Sequence, residues 1–211
     1  MARPASDIAT RIVHAARERF LLEGVDGASL RKIASDAGTS IGMVYYYFKT
    51  KDDLFLAVVE EVYAGIMVDI TKELAADASP DARVRKLFER VARMSELEFK
   101  VVRLILREAL GSSVRLQRLA KRFATGHAPL IAAVIAEGIG QQRFRDDVHP
   151  LAILAATVAL GIMPQVLHRL VSEAQLPIAR VLPSREDAAS TLCDVLMHGI
   201  ATPSTPARRK R

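Results

Sequence analysis

Three of the chain's four tyrosines stand in a row, Tyr45, Tyr46 and Tyr47, and Lys51 follows four residues after the last. Tyrosine hydroxyls can bond phosphate oxygens while their rings pack on sugars or thymine methyls, and a lysine ammonium can meet a further phosphate. An exposed aromatic run is hard to explain by stability alone. On a helix turning about 100° per residue, Ile41, Val44 and Phe48 fall within about 60° of arc and form a buried stripe. Gly42, Met43 and Tyr46 then lie on the opposite side, with Tyr45 and Tyr47 on the two flanks. Gly42 lets the backbone come close to whatever that side meets. A slim face of this kind suits a major groove about 12 Å wide.

The elements that must hold this face are legible around it. Ser29 caps a short helix that ends at Gly38, where a turn residue with positive φ meets no steric penalty. Leu30, Ile33, Ala34 and Ala37 point inward, and Ala34 is small enough for the next helix to cross closely. Thr39 and Ser40 start the helix that runs to Tyr47. Upstream, Ser6 caps a first helix whose Ile8, Ile12, Ala15, Ala16 and Phe20 share one stripe, closed by Gly24. Downstream, Thr50 and Asp53 form a capping box that opens a long fourth helix to about Ala76.

The stretch from Ser29 to Leu54, with "IASDAG", "VYYYF" and "KTKDDL", resembles the helix-turn-helix of the TetR family of repressors. That pattern is a capped helix, a Gly turn, a short recognition helix ending in Tyr-x-x-Phe, and a Lys at the start of a long helix. The resemblance implies that Ser29 and Arg31 touch DNA from the second helix. It implies contacts from Ser40, Gly42, Tyr45, Tyr46 and Tyr47 on the recognition helix, and a phosphate contact from Lys51. The outward recognition face carries no Gln, Asn or Arg, the usual bidentate base readers. Arg31, Met43 and DNA shape therefore take a larger share of recognition.

The remaining sequence also reads at the helical period. Ser79-Pro80 is a helix start. Helices are expected over Asp81 to Glu96, Phe99 to Leu110 and Val114 to Gln141, the last weakened near Gly126. A charged turn follows from Arg143 to Asp147. Pro150 opens an apolar helix to about Val171, kinked at Pro164. Ser184 and Asp187 cap a last helix to about His198. The total is about nine helices in an all-α fold. Residues 1–52 are read as a three-helix DNA-binding domain, 53–201 as a larger helical effector-binding and dimerisation domain, and 202–211 as a basic, disordered tail.

Leu151 to Met163 is apolar nearly all round, with Ala152, Ala155, Ala156 and Ala159 allowing close helix approach. A helix of that kind is expected to be covered on both sides, either in a symmetric four-helix dimer interface with the last helix or in a core within the chain. The resemblance places an effector pocket among helices four to seven. Phe88, Phe99, Phe123 and His127 are candidates to line it, with Arg103 as partner for an anionic group.

Composition excludes several classes. A single cysteine, Cys193, rules out an intramolecular disulfide and suits a reducing compartment. Four of the six net positive charges come from Arg208, Arg209, Lys210 and Arg211, so the overall charge is weak evidence for nucleic acid. Residues 1–7 lack an apolar signal core, and the apolar run of Leu151 to Met163 is shorter than the roughly 20 residues of a membrane span. A cytoplasmic, soluble protein is expected. The histidines have no metal-ligand spacing, Gly138 and Gly140 follow a helix rather than a strand, and no catalytic pairing stands out. Neither an enzyme nor a cofactor or metal is expected. The reading is a ligand-responsive regulator, a repressor that binds a palindromic operator as a homodimer and answers a largely apolar small molecule. The alternatives are a DNA-binding regulator or activator with no effector, and an enzyme carrying an accessory helix-turn-helix.

Overall fold

Apolar residues at the helical period, punctuated by Ser, Gly and Pro, produce ten α-helices and one 3₁₀ turn, with no strand, in the described residues (5–75 and 77–201) of a computed structural model. The helices are α1 (Ala5–Gly27), α2 (Leu30–Asp36), α3 (Ile41–Tyr47), α4 (Lys51–Leu74) and α5 (Pro80–Ala92). They continue with α6 (Glu96–Gly111), α7 (Ser113–Ala124), α8 (His127–Gly140), α9 (Pro150–Glu173) and α10 (Arg185–Ile200), the 3₁₀ turn Pro177–Arg180 lying between the last two. The expected count was nearly right. The extra helix arises at Gly126, which has non-helical angles (φ −110°, ψ −112°) and splits the stretch expected from Val114 to Gln141 into α7 and α8.

The chain divides into two compact units. The first joins the described part of residues 1–67 to Ser95–Ala124, and so combines α1 to α3 and most of α4 with α6 and α7. Its core is Ile12, Ala16, Phe20, Ile33, Ala34, Val44, Leu54, Phe55, Val58, Leu104 and Leu119, all buried. Burying each of the larger of these side chains is worth about 1.5–3 kcal/mol. α1 is interrupted at Gly24, whose φ of +78° suits glycine. α6 satisfies backbone groups around that break. Arg107 Nη2 donates to the Phe20 carbonyl at 2.8 Å, and Glu108 Oε1 accepts from the Val25 amide at 3.2 Å.

The capping signals were read with mixed success. Thr50 and Asp53 form the expected reciprocal box, each amide bonding the other's side chain at 3.0 Å. The Ser184 hydroxyl accepts from the Asp187 amide at 3.0 Å. Ser29 and Ser79 occupy N-cap positions with extended backbone, but neither side chain makes the capping bond. Helix α1 already begins at Ala5, so Ser6 lies inside it and is not its cap. A full capping box at Ser95 and Glu98 was overlooked; it ends α5 early and starts α6 at Glu96, ahead of the expected Phe99.

The second unit joins Val68–Met94 to the described part of Thr125–Arg211, with α9 packed against α5, α8 and α10. Helix α9 has 24 residues, including Pro164, and is long and apolar enough to cross a bilayer by length and composition. The expected helix from Pro150 to about Val171 matches it within two residues at its end, and the run Leu151 to Met163 is only its most apolar part. Within the chain one face of this helix is covered and the other is not. Ile153, Thr157, Gly161 and Gln165 are buried on one face, while Leu151, Ala155, Ala159, Met163, Leu167 and Leu170 are exposed on the other. On α10, Thr191, Val195 and Gly199 are exposed likewise. The expected tail, 202–211, lies outside the described residues.

Candidate nucleic-acid interface

The helix-turn-helix is set by burial on one side. Ile33, Ala34, Ala37 and Val44 are buried in the first unit's core together with Ile12, Ala16 and Phe20. Gly38 makes the turn with φ +62°, and Arg11 Nη1 donates to the Ala37 carbonyl beside it at 2.6 Å. Ser40 caps α3, its hydroxyl accepting from the Met43 amide at 3.3 Å. With Val44 buried, the opposite side of α3 must face outward. Tyr46 is 76% exposed and Tyr45 54%, and Ser40 and Gly42 are exposed too.

The structure gathers Ser29, Arg31, Tyr45 and Lys51 around one shallow groove, whose floor includes Ala28, Leu30 and Ile41. Gly42 and Tyr46 continue this surface along α3. Two candidates sit differently. Met43 is half-buried, and Tyr47 is half-buried against the core, edge-on to Tyr46 at 5.1 Å and tilted against Phe48 at 6.4 Å. Lys51 is half-buried, and its Nζ donates to the Asp26 carbonyl at 3.0 Å. This bond anchors the ammonium and leaves two of its three N–H donors for other acceptors.

Acidic groups stand close to that lysine, and α7 answers them with arginines. Arg115, whose side chain is 8% exposed, bonds the Asp26 carboxylate through both Nη atoms at 2.5 and 3.1 Å. Its Nε donates to Asp52 at 2.9 Å and its Nη1 to Glu108 at 2.6 Å. Arg118 bonds Asp53 at 2.8 Å, and Arg122 grips Glu60 with two bonds at 2.6 and 2.8 Å while stacking over Tyr63. The hydrogen bonds from Arg115 hold the Asp26 carboxyl below the usual range, with the charge of Lys51 adding to the effect. Asp53 is held low by the Thr50 hydroxyl and Arg118, and Glu60 by Arg122.

Sequence reasoning missed this cluster. Its trace was Arg115, Arg118 and Arg122 on one face of α7, yet apart from Glu108 their acid partners lie 62 to 89 residues away. A second groove, lined in part by Arg11, His14, Arg17, Asp36 and Gly38, was also not foreseen. Its charges are largely paired, Arg17 and His14 with Glu61 and Asp36 with Arg19.

The candidate effector residues are not brought together in one unit. Phe99 is buried in α6, Arg103 is exposed on the same helix, and Phe123 of α7 packs on Tyr63 at 5.5 Å; all three belong to the first unit. Phe88, buried in α5, and His127, half-buried at the start of α8, belong to the second. Neither groove is lined by any of the five.

Known proteins resemble this chain in sequence and fold. Residues 12–58 match the bacterial regulatory proteins of the tetR family. The HTH-type transcriptional repressor NicS of Pseudomonas putida is 28% identical over 153 residues, covering 70% of each chain. The HTH-type transcriptional regulator TtgW of Pseudomonas putida is 31% identical over 101 residues, which span 48% of this chain and 75% of that one. The transcriptional regulator FadR of Bacillus subtilis, solved with stearoyl-CoA, superposes with a TM-score of 0.73 at 17% identity over 90% of this chain and 98% of its own. At that identity the superposition speaks for the fold.

Proposed function

Since the chain belongs to the tetR family of bacterial regulatory proteins, we propose that it is a ligand-responsive repressor that binds a palindromic operator as a homodimer. Residues 1–52 read DNA, and residues 53–201 bind the effector and form the dimer. The observation that carries the DNA reading is the outward face of α3, where exposed Tyr45, Tyr46 and Gly42 adjoin the groove holding Ser29, Arg31 and Lys51. With no bidentate base reader on that face, Arg31 supplies the forked donor and the tyrosines the phosphate and methyl contacts.

The exposed stripes of α9 and α10 support the dimer. Spaced four residues apart from Leu151 to Leu167, the α9 residues are apolar or small, and two such helices from each protomer make a self-complementary four-helix contact. Paired heads read two half-sites one helical turn or a multiple of it apart. A small, largely apolar effector releases the operator by binding the non-operator conformation better; equal affinity would shift nothing. That FadR was solved with stearoyl-CoA, a molecule with a long apolar chain, supports this reading. The protein acts in the cytoplasm, where its DNA is.

The test is a gel-shift titration against the genomic fragment that the protein enriches most strongly. Tyr46→Ala and Lys51→Ala both weaken binding while leaving the helical circular dichroism unchanged. Lys51→Ala also lowers the salt slope by about 1, the loss of one phosphate contact. Full affinity in both variants would remove this face from DNA.

A further inference from the structure

The inward face of α9 interrupts an apolar helix with Thr157, Gly161 and Gln165, one turn apart and all buried. Thr157 is internally satisfied, its hydroxyl donating to the Ile153 carbonyl at 2.8 Å. Gln165 is not. At 3% exposure its Nε2 donates to the Arg185 carbonyl at 3.3 Å, but no donor among the described residues reaches its Oε1. Reversing the amide would turn Oε1 onto the Arg185 carbonyl, oxygen against oxygen, and lose the one hydrogen bond the side chain makes, so the unpaired atom is the acceptor. A buried acceptor left unpaired is costly, and a native fold tolerates few of them.

Gly161 makes the second observation. Glycine inside a helix weakens it, and such a residue usually answers to a close neighbour. Here the glycine is buried, yet a Cβ would meet no atom within 4 Å beyond the backbone of its own turn and its chain neighbours. Space is kept where an alanine would fit. Side chains on a helix lean toward its N-terminus, which carries Gln165 back over the turn of Gly161. Gly161 and Gln165 stand one turn apart on the same buried face, and Ile153, Thr157, Gly161 and Gln165 are all uncharged.

We propose that this face of α9 is a binding site for an uncharged, mostly apolar molecule carrying one hydroxyl or N–H group, which donates to Gln165 Oε1 while its apolar part occupies the space beside Gly161. The site rests on the reading of the chain as an effector-responsive regulator, and it locates the effector's polar group. A carboxylate end is disfavoured, because it would set an acceptor against an acceptor.

Calorimetry and thermal unfolding of the full chain without DNA test this with three probes: 1-octanol, octyl methyl ether and octanoate. Octanol binds and raises Tm, about tenfold more tightly than the ether, which has the same chain and no donor; octanoate binds more weakly than octanol. Gln165→Met abolishes the preference for octanol over ether. Gly161→Ala raises the Tm of the free protein, and Gly161→Leu fills the space and loses both probes. The site is refuted if octanol fails to bind the wild type, if the ether binds as tightly, or if Gln165→Met keeps the tenfold difference. The operator titration above is independent of these measurements: failure of octanol binding with intact operator binding removes this site alone, and the reverse removes the DNA reading alone.

Discussion

Gly42 shows how a single residue separates stability from function. A Cβ there would meet only the Ser40 hydroxyl oxygen, at an ordinary 3.7 Å, so nothing inside the protein requires glycine. Gly42→Ala is therefore expected to stabilise the fold by about 0.5–1 kcal/mol, the usual difference in a helix. The same methyl group stands on the outward face of α3, where it holds the backbone away from the groove, so operator affinity falls. Thermal unfolding and a gel shift on the one variant check both halves, and unchanged or tighter DNA binding would remove the close-approach role. The outward side of α3 was legible because one buried residue, Val44, fixes the rotation of a short helix. Tyr47 and Met43 were less legible. Angle alone does not show what packs on a flank, and the ring of Phe48 draws Tyr47 toward the core.

At the scale of elements, the ladder that α7 makes with Asp26 of α1 and with α4 has a pH dependence with a definite sign. Asp26, Asp53 and Glu60 have folded pKa values below their ordinary ones, through Arg115, through Thr50 and Arg118, and through Arg122 respectively. Groups of this kind contribute stability above the unfolded carboxylate range and lose it as pH falls through their folded values. Unfolding free energy is therefore expected to be flat from neutral pH down to about 5 and to drop below about 4. Glu60→Gln makes the drop shallower, measured by denaturant titration at a series of pH values; an identical profile would show that the Arg122 pair carries no pH dependence. Helix types and most boundaries could be read from Ser, Thr, Pro and Gly signals. The ladder could not, since Asp26, Asp52, Asp53 and Glu60 meet their arginines across dozens of residues, and local periodicity holds no record of that. The Ser95–Glu98 box was present in the sequence as Ser-x-x-Glu and was obscured by reading the helical period straight through it.

For the whole molecule, composition announced an apolar α9 but not which of its faces the chain itself would cover. Periodicity registers apolar residues and is silent on whether their partner is the same chain or another copy. In the structure one face packs within the second unit and the other stays exposed, a state that a second protomer would relieve. Ala159→Asp places a carboxylate in the middle of the exposed stripe, where dimerisation would bury it unpaired at a cost of several kcal/mol, about 3 or more. Sedimentation at micromolar concentration should show a dimer for the wild type and a monomer for Ala159→Asp, with operator binding lost in the latter. A variant that stays dimeric with full operator affinity would move the interface elsewhere. The Arg115 cluster bears on how such regulators can be recombined. It joins Asp26 and Asp52, within the segment proposed to read DNA, to Glu108 and Arg115, far along the chain. A hybrid that exchanges only residues 1–52 for a relative's head would set other side chains opposite Arg115 and Glu108 and leave that arginine, 8% exposed, short of two carboxylates. The four side chains bond one another as one cluster, and a working chimaera must carry them across the seam together.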